Sequence, residues 1–130
     1  MTHLVDTDWV IEFLKGREPT ISTLPRLTHD GMAISIITFG EVYEGVYYGR
    51  SPRDNERGFR AFLRRARVLP LHRGTMRRFA RVRGQLRTAG QLIGDTDLLI
   101  AATALHHDLI LVTHNRREFA RVPGLRIYQA

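Results

Sequence analysis

HLVDTDWVIEFL, residues 3–14, reads as a short buried strand running straight into an amphipathic helix. An apolar start precedes Asp6, and Trp9, Val10, Phe13 and Leu14 then recur near the helical period of 3.6 residues. Three other stretches repeat the arrangement: ISIITFGEVYEG (34–45), IGDTDLLIAATAL (93–105) and LILVTHNRREF (109–119). Each couples an apolar run to an oxygen-bearing side chain, which gives the series Asp6, Glu41, Asp97 and Asn115. Open α/β sheets place ligands at the carboxyl ends of their strands. Three carboxylates gathered there would repel one another and raise their pKa values unless a cation stood between them. Oxygen-only ligands that leave room for water suit Mg²⁺ or Mn²⁺.

Working outward, the spacing predicts a helix over 20–28 that contains Pro25, a β-branched strand over 33–37, and a helix from Thr38 to about Tyr48. Ser51-Pro52 opens a helix over about 53–66. It carries Phe59, Phe62, Leu63 and Ala66 on one stripe and Arg57, Arg60, Arg64 and Arg67 on another. A strand over 67–71, a helix over 75–88, a buried helix over 98–105, a buried strand over 109–113 and a last strand over 125–128 complete the reading. Strands alternating with helices specify a parallel sheet covered on both faces. The expectation is one domain, residues 1–130, built as a three-layer α/β/α sandwich of about five strands, with its chemistry where the strand order reverses.

Composition narrows the function. The 130 residues contain no cysteine, which excludes disulfides, thiolate zinc sites and a cysteine nucleophile, and the six histidines show no paired metal-ligand spacing. No apolar run is long enough to span a membrane, and the amino terminus lacks a basic signal followed by an apolar stretch, so a cytoplasmic protein is expected. Net charge is +7, carried by 19 arginines and the single Lys15. Thirteen of those arginines lie between Arg50 and Arg87 against only Asp54 and Glu56, a local charge of +11. Such asymmetry points to a polyanion, nucleic acid first, although a solvated helix face accounts equally well for any single arginine.

Taken singly, the acidic residues have plain explanations. Asp6 fits a helix N-cap, Glu41 fits a solvent-facing helix position although no basic residue stands at i+4, and either Thr96 or Asp97 fits a cap. Together the four segments resemble the PIN-domain ribonucleases, and within them the VapC-type toxins of bacterial toxin–antitoxin pairs, in the same order and over nearly the whole chain. The resemblance implies a metal-dependent endoribonuclease that inhibits translation until a VapB-type antitoxin, whose carboxyl-terminal segment wraps the toxin, neutralises it. Asp6, Glu41 and Asp97 fall on the family's acidic metal ligands, Asp95 is a further ligand or partner, and Thr7 and Thr38 flank them. Asn115 takes a fourth position where relatives often carry Asp; its carbonyl oxygen remains a donor, and Asp95, Asp8 or Glu118 would replace the missing charge. The resemblance further implies a homodimer, with Tyr43, Tyr47, Tyr48, Phe59 and Phe62 as interface or antitoxin contacts, or simply core.

Two other classes share features. LVDTDWV also matches the DxDx[TV] opening of haloacid-dehalogenase-like phosphatases, which would make Asp6 and Asp8 a covalent catalytic pair. A PIN-like module that binds RNA without cleaving it is the non-enzymatic alternative, with Asn115 as the sign of a lost site.

Overall fold

The computed structural model describes residues 1–129. Its strands are β1 (His3–Val5), β2 (Met32–Ser35), β3 (Ala66–Leu69) and β4 (Ile110–Val112). The helices are α1 (Thr7–Leu14), α2 (Thr20–Leu27), α3 (Ile36–Tyr48), α4 (Pro52–Leu63), α5 (Arg73–Thr88), α6 (Asp95–His106) and α7 (Arg116–Phe119). All pairings are parallel and the strand order is β3-β2-β1-β4. The chain therefore steps outward from β1 to β3, then returns across the sheet to add β4 on the other side of β1. The reversal falls between β1 and β4.

Alternation along the strands sorts the core into two halves. Leu4, Ala33, Leu69 and Leu111 face one side, where they meet Val82 and Leu86 of α5, Leu98, Ile100, Ala101 and Ala104 of α6, and Phe119 of α7. Val5, Met32, Ile34 and Val112 face the other, against Trp9, Val10, Leu24, Val42, Val46, Phe59 and Phe62 from α1 to α4. These are the three layers expected of the sequence. None of the helices among the described residues is long and apolar enough to cross a membrane.

Several boundaries move for identifiable reasons. β2 stops at Ser35 because that side chain turns to cap α3, accepting from the Thr38 N–H at 3.0 Å, so Ile36 and Ile37 are helical. α4 begins on Pro52, whose missing N–H costs nothing in a first turn, and ends at Leu63, leaving Ala66 to start β3. α6 starts one turn before the apolar run, at Asp95, which puts Asp97 in its first turn. The fifth strand shrinks to a single bridge between Leu111 and Ile127, with Leu111 N–H donating to Arg126 O and Tyr128 N–H to Leu111 O. The sheet proper thus has four strands rather than five. Pro25 sits inside α2, which Thr28 closes by donating its N–H and its hydroxyl to Leu24 O.

The aromatic residues separate too. Phe59 and Phe62 are core, and Tyr43 is half-buried and donates its hydroxyl to Glu56 at 3.1 Å, whereas Tyr47 and Tyr48 are 60% and 88% exposed.

Leu111 lies under the central reversal, fully buried. Leu111→Ala is expected to cost about 2–5 kcal/mol in urea unfolding, the usual range for such a truncation. Ile127→Ala, on the half-buried bridging segment, should cost clearly less.

Candidate active site

All four strands end on one edge, and the residue that follows β1 is Asp6. Its N–H donates to Val112 O at 2.9 Å, which extends the β1–β4 pairing by one step and sets Asp6 beside Thr113. The carboxylate is 6% exposed. Oδ1 accepts from the Thr7 N–H at 2.8 Å, the expected capping bond, and Oδ2 accepts from the Thr113 hydroxyl at 2.7 Å. Each oxygen keeps a free lone pair.

Neutral groups bind the other acids around it. The Thr7 hydroxyl donates to Glu41 Oε1 at 2.6 Å and stands 3.0 Å from the Thr38 hydroxyl, which ties α3 to the start of α1. Asn115 N–H donates to Thr113 Oγ1 at 3.0 Å, while its side-chain amide reaches Asp97 Oδ2 at 3.4 Å. Asp8 Oδ2 accepts from the His114 N–H at 2.9 Å and lies 3.4 Å from the Thr113 hydroxyl. A continuous network thus runs from Glu41 through Thr7, Asp6, Thr113 and Asn115 to Asp97.

Charge repulsion accompanies this gathering. Burial, then the neighbouring Asp8, pushes the Asp6 carboxyl up to about 7, with Asp97 adding to the effect and the two hydrogen bonds opposing it. Asp97 is likewise raised, by burial first and then by Glu41, Glu118 and Asp8. Glu118, on α7, is therefore part of the electrostatic group.

Asp95 is not. It lies 65% exposed and accepts from Arg83 Nε at 3.0 Å, because positions two apart on a helix face different ways and only Asp97 turns toward β1 and β4. Nor do the expected ligands Asp6, Glu41, Asp97 and Asp95 close into one shell: among the described residues no three His, Cys, Asp or Glu side chains stand close enough to form a ready metal-binding group. Thr7 holds Glu41, Asn115 holds Asp97 and Arg83 holds Asp95, each at its own hydrogen bond. A hard cation that keeps most of its waters needs only one or two carboxylates. The buried, charge-crowded Asp6, whose hydrogen-bond partners Thr7 and Thr113 are neutral, fits such an ion.

The PIN domain model matches residues 3–125. The chain belongs to the PIN domain family. Ribonuclease VapC2 of Haemophilus influenzae is 34% identical over 126 residues, 97% of this chain and 96% of that protein. The tRNA(fMet)-specific endonuclease VapC of Shigella flexneri is 31% identical over the same fractions. Among solved structures, DNA-bound VapBC from Salmonella typhimurium aligns with a TM-score of 0.91 at 30% identity, covering 98% of this chain and 97% of that one. VapBC2 from Rickettsia felis, bound to a DNA fragment from their promoter, gives 0.91 at 28% identity over 98% of both.

Within this PIN domain two residues escaped the sequence reading. Ser35 is fully buried, caps α3 and stands 3.4 Å from the Thr38 hydroxyl; a serine three residues before a helical threonine was the available signal. His114, between Thr113 and Asn115, bonds Glu12 through Nε2 at 2.7 Å and stacks on Trp9, a long-range contact that local spacing does not reveal. A further grouping, His72, His106 and His107 with ring centroids 4.9–6.0 Å apart, gathers where the cap before α5 meets the end of α6, and it too was invisible in the sequence.

Because the Asp6 carboxyl is raised on folding, the native chain holds that proton more tightly than the unfolded chain does. The associated stability is present below the ordinary Asp range and is lost as pH rises through about 7. With chelator present, Asp6→Asn should therefore melt above wild type at pH 8, and the gap should narrow as pH falls below about 7 and close only in the ordinary Asp range. An offset that is the same at pH 5, 6.5 and 8 would contradict the assignment.

Proposed function

We propose that this chain is the endoribonuclease toxin of a VapBC toxin–antitoxin pair. The observation that carries the reading is the end-to-end likeness to VapC ribonucleases, joined to an edge where Asp6, Asp97 and Glu41 share one hydrogen-bonded network. The substrate is RNA, the cation Mg²⁺ or Mn²⁺, and the regulator a VapB-type antitoxin, all acting in the cytoplasm.

Asp6 and Asp97 are the residues we assign to hold the ion, with Glu41 beside them and the Asn115 carbonyl oxygen as a neutral fourth donor. When bound, such an ion supplies a more acidic water and neutralises charge on the phosphate. Thr113 and Thr7 fix the two oxygens of Asp6, so their task is orientation. The threonine hydroxyls are committed to carboxylates, which makes them unsuited as nucleophiles. Asp95 has no part in this assignment.

Arginine supplies the grip on the substrate. Arg53, Arg57, Arg60 and Arg64 line, with Glu56, a cleft of about 320 Å³ along α4. Contacts of this kind hold the RNA backbone and set register without selecting sequence. The exposed Tyr47 and Tyr48 at the end of α3 are left for a second copy of the chain or the antitoxin.

Purified protein should cleave cellular RNA with Mg²⁺ or Mn²⁺ and stop when the ion is chelated. Asp6→Ala should lower the rate by about 100-fold or more, the scale of removing one preorganised electrostatic group, while RNA binding persists. RNA binding without cleavage under either metal would instead identify a non-catalytic PIN module. A phospho-aspartate trapped with beryllofluoride would revive the phosphatase alternative. Sequencing of RNA 5′ ends after brief induction without antitoxin reports target and activity together.

A further inference from the structure

The turn from Thr113 to Asn115 joins β4 to α7 and carries two of the network's links, the Thr113 hydroxyl on Asp6 and the Asn115 amide on Asp97. Its middle residue, His114, points the other way. The ring lies 5.1 Å from Trp9 at an interplanar angle of 20°, a stacked pair. Nε2 donates to Glu12 Oε2 at 2.7 Å, and the carboxylate requires that this nitrogen carry the proton in the contact. Both anchors are themselves fixed: Trp9 is buried in the core, and Glu12 also accepts from the fully buried Thr20 hydroxyl at 3.0 Å. The His114 N–H meanwhile donates to Asp8 Oδ2 at 2.9 Å.

We propose that His114 is a positioning residue: clamped by Trp9 and Glu12, it fixes the turn so that Thr113 meets Asp6 and Asn115 meets Asp97. The inference rests on the nuclease reading for its consequence, but the clamp itself is a matter of geometry. A side chain that only filled space would have no reason to engage α1 by stacking and by a short charge-assisted bond at once, beside the bond that its own backbone N–H makes to Asp8. Partly exposed pairs of this type add little to global stability. Loss of the clamp therefore separates local order from folding.

Trp9 is the single tryptophan, so its emission reports the stack directly. In His114→Ala the emission should change, amide exchange at residues 114 and 115 should accelerate, and the Mn²⁺ dissociation constant, read by calorimetry, should rise about tenfold, as for loss of a group that orients a metal ligand. The melting temperature should hardly move. Wild-type Mn²⁺ affinity together with unaccelerated exchange in this variant overturns the proposal. Should His114→Ala fail to fold, Glu12→Gln at the solvent side of the clamp is read the same way: faster exchange and weaker Mn²⁺ binding support it, and unchanged values overturn it. If wild type itself binds no Mn²⁺, the nuclease reading falls instead, and exchange in the metal-free protein still decides whether His114 holds the turn.

Discussion

One backbone hydrogen bond, from the Asp6 N–H to Val112 O, determines where the acids meet. It continues the register in which His3, Leu4 and Val5 lie opposite Ile110, Leu111 and Val112. Side chains in a strand alternate between faces, so a slip of one residue would exchange Leu4 for Val5 in each half of the core and carry Asp6 away from Thr113. The apolar sorting that stabilises the sheet and the pairing that builds the site are consequences of the same alignment. Strand order adds the rest, since the return from β3 to β4 opens the edge at β1 to both neighbours.

The electrostatics of that edge run against stability. Burial first, and then repulsion from Asp8 and Asp97 at Asp6 and from Glu41, Glu118 and Asp8 at Asp97, raises both carboxyls, and the hydrogen-bond donors in the network are threonines, an asparagine amide and backbone N–H groups. Within the group only Glu118, at its margin, meets an arginine, Arg121 at 3.7 Å, whereas elsewhere Arg83 pairs with Asp95, Arg57 with Asp54 and Arg60 with Glu56. Buried carboxylates relieved mainly by neutral donors, in an otherwise well-packed domain, are the kind of strain that a bound cation would remove.

The layers and the order of elements were legible because period-2 and period-3.6 patterns alternate cleanly along the chain, whereas Asp6, Glu41, Asp97 and Asn115 were singled out by the four segments taken together, Glu41 alone reading as an ordinary position inside a helix. Boundaries were not legible wherever a side chain overrode local propensity, as Ser35 does by capping α3. Asp95 and Asp97 were indistinguishable by composition; only helix geometry, turning one toward Arg83 and the other toward Asn115, separates them. Contacts between distant residues stayed hidden for the same reason. Nothing in the neighbourhood of His114 announces Glu12 and Trp9, a hundred residues earlier. The final strand was overestimated because Leu125 to Tyr128 has β-sheet composition but makes only one bridge.

The order in which the pieces leave the ribosome follows from the reversal at β1. The first strand and its aspartate are made well before the threonine that orients that aspartate, which belongs to the segment after β4. The bond from Thr113 to Asp6 spans 107 positions of sequence and can form only after β4 has paired with β1.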